Sequence, residues 1–450
     1  MPGPQLDPVE SNATLPAEVD VVIIGGGIAG VCTALELVER GKTVALCEKG
    51  EIGAEQSSRN WGWVRLTHRD PREMPLMVES VRLWKAMNDR IGDETGYRQC
   101  GVTYTVTDDK VLASEGEAAE ELQKYQIPAR ILNANEVREA FPGFSLDIKG
   151  ALHNPHDGRA EPQKAAPAIA RAVQARGGSV HQYCAVRTLE TADGKVTGAV
   201  TEKGPIKCSA VLVAGGVWSR LFLGNLGIEL PQLRTKGTVM RTEPVADGQE
   251  QTLKSPGFAL RKRLDGGYNI ASAAPSRYQL TPDSFRLFRA FLPTLKNEWR
   301  NISLGLGPAF FDALRTPRRW TAKDVTPFEK SRILDPEPDR PRIDKVLDLV
   351  KRDYAPFKGA KVAQRWAGYI DVMPDIIPVI SETKGVKNGI DGLFVATGFS
   401  GHGFGLGTGA GLLAADLITG RAPCVDPTPF RLHRFSDGSK ITPTLGVTQR

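Results

Sequence analysis

The stretch from residue 20 to residue 50, DVVIIGGGIAGVCTALELVERGKTVALCEKG, constrains the fold more than any other part of this 450-residue chain. The β-branched run Val21–Ile24 is typical of a buried parallel strand. Apolar residues then recur at helical spacing as far as Gly41, and TVALCE has the pattern of a second strand ending in Glu48. A strand, a glycine-rich turn, a helix and a second strand in this order predict a βαβ unit.

Three glycines at the turn, Gly25, Gly27 and Gly30, have the spacing GxGxxG. The first makes the tight turn, the second lets backbone N–H groups approach a pyrophosphate, and the third lets the helix pack on the strand. Glu48 is placed at the end of the second strand to accept the hydroxyls of an adenosine ribose. The pattern predicts a dinucleotide-binding domain; the alternative is a glycine-rich turn in an unrelated α/β domain.

A second glycine-rich junction lies near the C-terminus, where seven glycines fall between Gly398 and Gly411. An apolar run precedes them and a segment rich in Leu and Ala follows. A helix starting near His402 would direct its free N–H groups and positive dipole end toward a ligand. Because reduced flavin is negative around N1 and the C2 carbonyl, we interpret the run as the seat of an isoalloxazine ring. The alternative is a merely flexible glycine loop.

Composition argues against several other classes of protein. A net charge of +6 with 41% hydrophobic and 24% charged residues fits a folded protein with solvated basic side chains, and no nucleic-acid-binding module is recognisable. Six scattered cysteines without CxxC, and histidines without metal-ligand spacing, predict no metal site and favour a reducing compartment. No apolar stretch reaches the ~20 residues of a membrane helix, and the leader does not resemble a signal peptide. We therefore predict a cytoplasmic protein without an integral membrane segment.

Four motifs along the chain carry a resemblance to a known family. In order they are VVIIGGGIAG, VLVAGGVWSR, MPDIIPVI and GFSGHGFGLGTGAG. In their order, from about residue 18 to residue 435, the chain resembles the FAD-dependent D-amino acid oxidase family, which includes glycine oxidases, sarcosine oxidases and D-amino acid dehydrogenases. The resemblance implies an FAD cofactor and oxidation of a C–N bond in a small amine or amino acid. It also implies oxygen or an electron-transfer acceptor as the second partner.

The implied fold is α/β, with a Rossmann-type FAD-binding domain built from discontinuous segments and an α+β substrate domain with a mostly antiparallel sheet. We expect two domains in separate pieces, with a tail at either end. In chain order the pieces are 1–17 (disordered tail), 18–95 (FAD-binding), 96–150 (substrate), 151–232 (FAD-binding), 233–362 (substrate), 363–435 (FAD-binding) and 436–450 (tail).

The resemblance also assigns contacts to FAD by position in the motifs. The expected contacts are Gly25, Gly27, Ile28, Ala29 and Gly30 at the pyrophosphate turn; the ribose acid Glu48 with its neighbour Lys49; Ser57, Ser58 and Arg59 in the flavin-side loop; Val186 at the adenine; Gly215 and Trp218 in the second motif; and Gly401, His402, Gly403, Phe404 and Gly405 under the pyrimidine edge of the flavin.

Several positions depart from the family pattern. Gly368 stands where sarcosine oxidases carry the cysteine that bonds the flavin, so FAD is expected to be non-covalent. Ile370 replaces a carboxylate-binding arginine, and Gly405 replaces a lysine. The strand matching YNIAS also lacks the lysine that assists the reaction with oxygen. The usual carboxylate clamps are therefore absent, and the choice between oxidase and dehydrogenase stays open.

Other side chains are expected to position the substrate, and no catalytic base is assigned, because amine oxidation by flavin depends mainly on positioning. Arg65 is the first candidate to bind an anionic group through its guanidinium; the alternative is a structural arginine. Trp61 and Trp63 either form an aromatic cage for a cationic amine or pack one domain against the other.

Three further candidates lie near the vacant arginine position and the glycine run. Tyr369 and Asp371 flank Ile370 and are expected to line the pocket, although core packing is equally plausible for the tyrosine. His402 is placed to hydrogen-bond flavin or substrate, or simply to cap a helix.

The predicted function is FAD-dependent oxidation of a C–N bond by hydride transfer to flavin N5, followed by hydrolysis of the imine. A secondary amine or N-substituted glycine, such as sarcosine or iminodiacetate, is favoured as substrate. The alternatives are a D-amino acid dehydrogenase with an acceptor other than oxygen, a flavin hydroxylase, and a flavin subunit that needs a partner.

Overall fold

The computed structural model describes residues 3–273, 278–298 and 304–443, and two large sheets organise them. With elements numbered along the chain, the first sheet has six strands, in the spatial order β21 (Val379–Glu382), β22 (Leu393–Thr397), β13 (Ala210–Val213), β1 (Val21–Ile24), β2 (Val44–Cys47) and β9 (Ser179–His181). All neighbours are parallel except β21 with β22. Helix α1 (Ile28–Glu39) joins β1 to β2, so the predicted βαβ unit is present.

The second sheet is antiparallel apart from one parallel pair, β15 with β5. Its eight strands lie in the spatial order β20 (Val362–Val372), β14 (Leu233–Thr242), β17 (Tyr268–Ser272), β16 (Phe258–Lys262), β15 (Thr252–Ser255), β5 (Val102–Val106), β7 (Gly150–Asn154) and β6 (Arg130–Asn133). The prediction of an α/β fold with a second, mostly antiparallel sheet is therefore confirmed.

Smaller sheets and helices complete the described chain. The smaller sheets contain β10 (Val186–Ala192), β11 (Lys195–Thr201) and β12 (Gly204–Lys207); β3 (Trp63–Val64), β8 (Gly158–Arg159) and β4 (Arg98–Gln99); and β18 (Tyr278–Gln279) with β19 (Leu304–Gly305). The other helices are α2 (Gln56–Arg59), α3 (Met74–Ile91), α4 (Asp109–Gln123), α5 (Ala134–Ala140), α6 (Pro162–Ala175), α7 (Ser219–Asn225), α8 (Pro282–Arg286), α9 (Phe288–Glu298), α10 (Pro308–Arg315), α11 (Pro327–Lys330), α12 (Arg340–Asp353) and α13 (Gly403–Thr419). Short 3-10 turns occupy Gly216–Trp218, Ala355–Phe357, Thr428–Phe430 and Leu432–Phe435.

Much of the C-terminal glycine run lies inside α13, where it lets this helix approach α1 closely. A Cβ at Gly407 would lie 2.6 Å from Cγ1 of Ile28, and a Cβ at Gly411 would lie 2.5 Å from Cβ of Cys32. Real Cβ atoms do not come this close, so a side chain at either position would force the helices apart. The interpretation of the whole run as a ligand seat was too broad, because its second half serves helix packing.

Two predicted domain boundaries cut strands of the second sheet. The boundary after residue 362 falls at the first residue of β20, which pairs with β14 along its length. The boundary after residue 150 falls at the first residue of β7, which pairs with both β5 and β6. Each strand therefore belongs with the second sheet, and local alternation of apolar residues could not show which sheet would receive it.

The segment expected to be a disordered N-terminal tail instead lies against β9 and α6. The N–H of Asp7 donates to the carbonyl of Gln163 at 3.1 Å, and the N–H of Asn12 donates to the carbonyl of Val180 at 2.8 Å. Asp7 also forms an ion pair with Lys164, with 2.8 Å between Oδ2 and Nζ. The partners of this segment are distant in sequence, so its own residues contained no signal that it would be ordered.

The predicted C-terminal tail is described only as far as residue 443, and residues 444–450 lie outside the described part. Pro443 borders the cavity described below. Within the described ranges, no helix combines the length and apolar character needed to cross a membrane.

Candidate active site

A cavity of about 830 Å³ lies between the two large sheets. Ile24, Cys47 and Val213, the last residues of β1, β2 and β13, border it on one side. Val239 and Lys254 of the second sheet border it on the other. Ligands of open α/β sheets bind at the carboxyl ends of the strands, and this cavity has that position.

One end of the cavity is formed by the glycine turn and the first turn of α1. Gly25 has a φ of +111°, and a Cβ there would lie 2.5 Å from the carbonyl oxygen of Ala214. The N–H of Ile28 donates to Oγ of Ser57 at 2.8 Å, while Gly27 caps the helix without a side chain. A helix N-terminus with bare backbone bordering the cavity suits a pyrophosphate.

Glu48 and Val186 border the cavity beyond this turn, at the predicted adenosine end. The carboxylate of Glu48 accepts hydrogen bonds from the N–H groups of Gly26 and Gly50, both at 2.7 Å, and burial raises its pKa. Each carboxylate oxygen can accept a further hydrogen bond, so Glu48 remains able to bind ribose hydroxyls. The contacts of Glu48 and Val186 with the adenosine stay predictions.

Most of the predicted FAD contacts border the cavity, and two do not. Those that border it are Gly25, Gly27, Ile28, Ala29, Glu48, Lys49, Ser57, Arg59, Val186, Gly215, Trp218, Gly401, His402, Gly403, Phe404 and Gly405. A Cβ at Gly30 would lie 2.0 Å from the carbonyl oxygen of Gly25, so Gly30 serves helix packing. The hydroxyl of Ser58 donates to the carbonyl of Glu55 at 3.3 Å. The short helix α2 turns Ser57 toward the cavity and Ser58 away, which corrects the assignment of Ser58.

Lys49 and Arg59 border the cavity with charges that protein groups already satisfy. Nζ of Lys49 donates to Oε1 of Glu55 at 2.7 Å. Nη1 of Arg59 donates to Oδ1 of Asp335 at 2.5 Å and to the carbonyl of Ala367 at 2.8 Å. Both side chains also bind later parts of the chain, since Nζ of Lys49 donates to the carbonyl of Arg332 and Arg59 contacts Asp335 and Ala367. They therefore hold the loop around the cavity in place.

The predicted helix start near His402 is confirmed, because α13 begins at Gly403 with His402 as its N-cap. Asp371 lies beneath the turn before the helix. Its Oδ2 accepts hydrogen bonds from the N–H of Gly398 at 2.8 Å and from Nε2 of Gln232 at 3.1 Å, and burial raises its pKa to about 6. Asp371 borders the cavity as predicted and also holds the glycine turn in place, and its contact with substrate stays a prediction.

Several cationic side chains border the cavity, and three of them, Arg65, Arg69 and Lys254, lie close enough for Arg65 to act on both of the others. Nη1 of Arg65 donates to the carbonyl of Thr67, and Nε of Arg69 donates to the carbonyl of Arg65 at 3.1 Å. Nη1 of Arg69 is buried without a hydrogen-bond partner. None of the three cations forms an ion pair with a carboxylate in the part of the chain that the structure describes. Arg65 therefore borders the cavity as predicted, and two further cations join it.

These cations act on each other and on His402. Burial lowers the pKa of Lys254 to about 8, and the positive charge of Arg65 adds to this effect. Burial also holds the pKa of His402 well below its ordinary range, with Arg69 and Arg65 contributing. At neutral pH the imidazole is therefore neutral, while Lys254 remains largely charged.

Two carboxyl groups near these cations do not neutralise them fully. Burial raises the pKa of Glu73 to about 8, and neither of its carboxyl oxygens has a hydrogen-bond partner, although Oε2 lies 3.3 Å from Nδ1 of His402. Asp157 accepts hydrogen bonds from the N–H of Leu66 at 2.5 Å and the hydroxyl of Thr67 at 2.6 Å, and burial raises its pKa to about 6. The cavity wall is therefore electropositive here.

Aromatic rings form the wall beside the cations. The ring centres of Trp61 and Trp63 lie 5.3 Å apart, and those of Trp63 and Tyr104 lie 6.1 Å apart. Tyr369 borders the cavity with the guanidinium of Arg234 4.6 Å from its ring centre. Trp61, Trp63 and Tyr369 thus border the cavity as predicted, and the two tryptophans also pack against the core.

Arg69, Tyr104 and Lys254 border the cavity although none of them was predicted as a site residue. Arg69 follows Arg65 by four residues, but this segment is not helical, so the spacing alone did not predict that both would border the cavity. For the other two there was no local signal. Lys254 and Tyr104 lie on β15 and β5, which pair in parallel, and only this pairing brings them together.

Comparison with known proteins places this geometry in a family. The chain matches the family described as "FAD dependent oxidoreductase" (DAO) over residues 20–417. It is similar to a glycine oxidase of Pseudomonas aeruginosa, with 26% identity over 91% of this chain and 97% of that protein. It is 24% identical to sarcosine oxidase subunit beta of Rhizobium meliloti, over 94% of this chain and 89% of that protein. The solved L-amino acid deaminase from Proteus myxofaciens, in complex with anthranilate, has a TM-score of 0.90 and 34% identity, covering 95% of this chain and 96% of that one.

The site agrees with this match. The bare glycine turn, the N-termini of α1 and α13 and the long cavity between them fit an FAD molecule. FAD is the cofactor, and the prediction of an FAD-dependent enzyme of the amine and amino acid oxidase or dehydrogenase class is confirmed. The chain belongs to the DAO family of FAD-dependent oxidoreductases.

Proposed function

We propose that this protein oxidises the C–N bond of an α-amino acid. The observation that carries the proposal is the presence of two arginines without carboxylate partners, Arg65 and Arg69, on the wall of a cavity that fits FAD. The similarity to an L-amino acid deaminase over nearly the whole chain supports a primary amine and the L-enantiomer. The products are an α-keto acid and ammonia, formed when water hydrolyses the imine.

FAD, when bound, supplies the acceptor for the hydride that leaves the α-carbon. The chain's own residues have to bind the substrate and favour its free amine. A neutral imidazole at His402 can accept a hydrogen bond from the substrate nitrogen, because burial holds its pKa well below the ordinary range. The cations near the site also favour the uncharged amine by repelling the ammonium form.

Arg65 and Arg69 are the proposed carboxylate clamp. A guanidinium offers two parallel N–H groups that match the two oxygens of a carboxylate. Their position on the cavity wall explains how an α-carboxylate is held although Ile370 occupies the place of the family's arginine. The rings of Trp61 and Trp63 add apolar surface to the same wall.

A secondary amine or N-substituted glycine, such as sarcosine or iminodiacetate, is the second candidate substrate. It is supported by the similarity to sarcosine oxidase subunit beta over 94% of this chain. These compounds carry the same carboxylate as an α-amino acid, so they fit the same clamp. They differ at the nitrogen, and a direct comparison of substrates separates the two candidates.

The test is an anaerobic absorbance titration of the purified holoenzyme. The panel contains L- and D-amino acids, glycine, sarcosine and iminodiacetate. We expect an L-amino acid to bleach the flavin band, whereas bleaching by sarcosine or iminodiacetate alone supports the second candidate. Readmitted air then shows whether oxygen or another compound is the electron acceptor. If FAD stays bound and no compound bleaches it, the proposed function is wrong and a partner-dependent flavin subunit is favoured.

The clamp is tested with Arg65→Gln. The loss of a charge-assisted hydrogen bond to the substrate is expected to weaken the apparent affinity about 10- to 100-fold. Arg138→Gln is the matched control, since Arg138 is exposed on α5 and does not border the cavity. Unchanged substrate affinity in Arg65→Gln would reject the clamp. Acid precipitation of the holoenzyme is expected to release the flavin, since we propose that it is bound non-covalently.

A further inference from the structure

Lys254 is a half-buried cation without a counter-ion in the described chain. It lies on β15 and borders the cavity, with Nζ 5.8 Å from the ring centre of Tyr104. None of the described residues forms a hydrogen bond or an ion pair with Nζ. Removing an ammonium group from water without pairing it is unfavourable, so this cation is best explained by an anion that arrives with a ligand.

A second polar group without a partner lies next to this lysine. The hydroxyl of Tyr104 is buried and has no hydrogen-bond partner. Lys254 and Tyr104 are register partners in adjacent strands. The acid whose charge favours the charged form of Lys254 is Glu115, and its Oε2 already lies 2.7 Å from Nε2 of His68. The hydroxyl and the ammonium group together form a donor pair that suits a carboxylate.

The charges of the cavity wall act on different neighbouring groups. Arg69 and Arg65 both lower the pKa of His402, which caps α13 at the predicted flavin end. At Lys254 the contribution comes from Arg65 and not from Arg69. Arg65 is therefore close to both His402 and Lys254, and the charges of Arg65 and Arg69 both act on Tyr104, which lies beside Lys254 in the sheet.

One α-carboxylate can pair with Arg65 and Arg69, which leaves the ammonium group of Lys254 on the same wall without a carboxylate partner among the described residues. We infer that Lys254 and Tyr104 bind a second anionic group of the substrate, so that the preferred substrates are amino acids or N-substituted glycines with a second carboxylate. The inference rests on the proposed function and specifies its substrate class. The α-carboxylate binds at Arg65 and Arg69, and the second carboxylate reaches Lys254.

A binding experiment tests this site without turnover. Acetate and butyrate are compared with malonate, succinate and glutarate as ligands of the oxidised holoenzyme, by the perturbation of the flavin absorbance spectrum at constant ionic strength. We expect the best dicarboxylate to bind about tenfold or more tightly than the monocarboxylates, as one additional charge-assisted interaction predicts. In Lys254→Met this preference should largely disappear.

Two further variants control for indirect effects. Tyr104→Phe keeps the ring and removes the hydroxyl, so it should reduce the preference for dicarboxylates without abolishing it. Lys110→Met removes an exposed lysine from α4 that does not border the cavity, and it should behave like the unchanged protein. If Lys254→Met weakens the binding of monocarboxylates and dicarboxylates by the same factor, Lys254 does not bind a second anionic group and the inference is overturned.

Substrate pairs then separate this inference from the proposed function. The pairs are L-aspartate with L-asparagine, L-glutamate with L-glutamine, and iminodiacetate with sarcosine, each compared by the rate of anaerobic flavin bleaching. We expect the dicarboxylate of at least one pair to react faster. If neutral members react as fast or faster, the inference fails while the proposed function stands. If no amino acid or amine bleaches the flavin, the proposed function itself fails.

Discussion

Substitution of Gly411 by alanine should destabilise the protein, although alanine is the better helix former. Gly411 lies inside α13, and a Cβ there would lie 2.5 Å from Cβ of Cys32 and 2.8 Å from the backbone nitrogen of Thr33. These atoms belong to α1, so relief requires movement of a whole helix that supports the glycine turn at the FAD site. Overpacking of this kind costs about 1–3 kcal/mol.

The gain in helix propensity opposes this cost. Replacing an interior glycine by alanine favours a helix by about 1 kcal/mol. Because the new Cβ would meet backbone atoms, we expect the overpacking cost of Gly411→Ala to lie at the upper end of that range. After the gain in helix propensity is subtracted, the free energy of unfolding should fall by about 1–2 kcal/mol. Gly116→Ala is the matched control, because Gly116 lies inside α4 and a Cβ there would meet nothing within 4 Å. This variant should gain up to about 1 kcal/mol.

The assay is chemical denaturation followed by tryptophan fluorescence, with flavin release recorded in the same samples. We expect the midpoint of Gly411→Ala to fall and that of Gly116→Ala to stay or rise. Flavin release should occur at lower denaturant in Gly411→Ala, because α1 and α13 both carry the FAD site. A Gly411→Ala protein as stable as Gly116→Ala would refute the argument that glycines of this run are required for helix packing.

Three further substitutions should change stability or flavin binding. Glu73→Gln should become more stable than the unchanged protein as pH rises. The pKa of Glu73 in the folded protein is about 8, above the ordinary value of 4.5. The contribution of Glu73 to stability is therefore complete below pH 4.5 and is lost as the pH rises toward 8. Denaturation at pH 5 and pH 8 measures this, and an equal difference at both values would contradict it. Gly30→Ala should lose FAD and stability together, since its Cβ would lie 2.0 Å from a backbone carbonyl oxygen; the flavin-to-protein absorbance ratio reports the outcome, and full retention of flavin would exclude the argument. Asp375→Asn should lower the free energy of unfolding by about 3–5 kcal/mol, because the buried guanidinium of Arg434, whose Nε lies 2.8 Å from Oδ2 of Asp375, would then face a neutral group. A thermal midpoint equal to that of the unchanged protein would show that this ion pair is dispensable.

Features encoded within a short stretch of chain were predictable. The strand, glycine turn, helix and acid between Val21 and Glu48 depend on local periodicity and turn chemistry, and the structure reproduces them. The same is true of α13, which begins next to His402. Because Arg65, Trp61 and Trp63 follow the nucleotide-binding strand closely, their place on the cavity wall could also be predicted.

Features that depend on strand pairing between distant segments were not predictable. Tyr104 and Lys254 are separated by about 150 residues and meet only because β5 and β15 are neighbours in one sheet. The role of Asp371 depends in the same way on Gly398, which reaches it from another part of the chain. A single sequence contains no local signal for such pairings, since each strand could satisfy its backbone hydrogen bonds with several partners.

The sequence by itself therefore determined the class of cofactor and the two helix N-termini at which we predict that it binds, because glycine spacing and helix capping act over a few residues. The tertiary structure decided which glycines border the cavity and which hold α13 against α1. It also decided which cations meet in the substrate cavity. These outcomes depend on packing and on the loss of water around charges, and both arise only when distant segments come together.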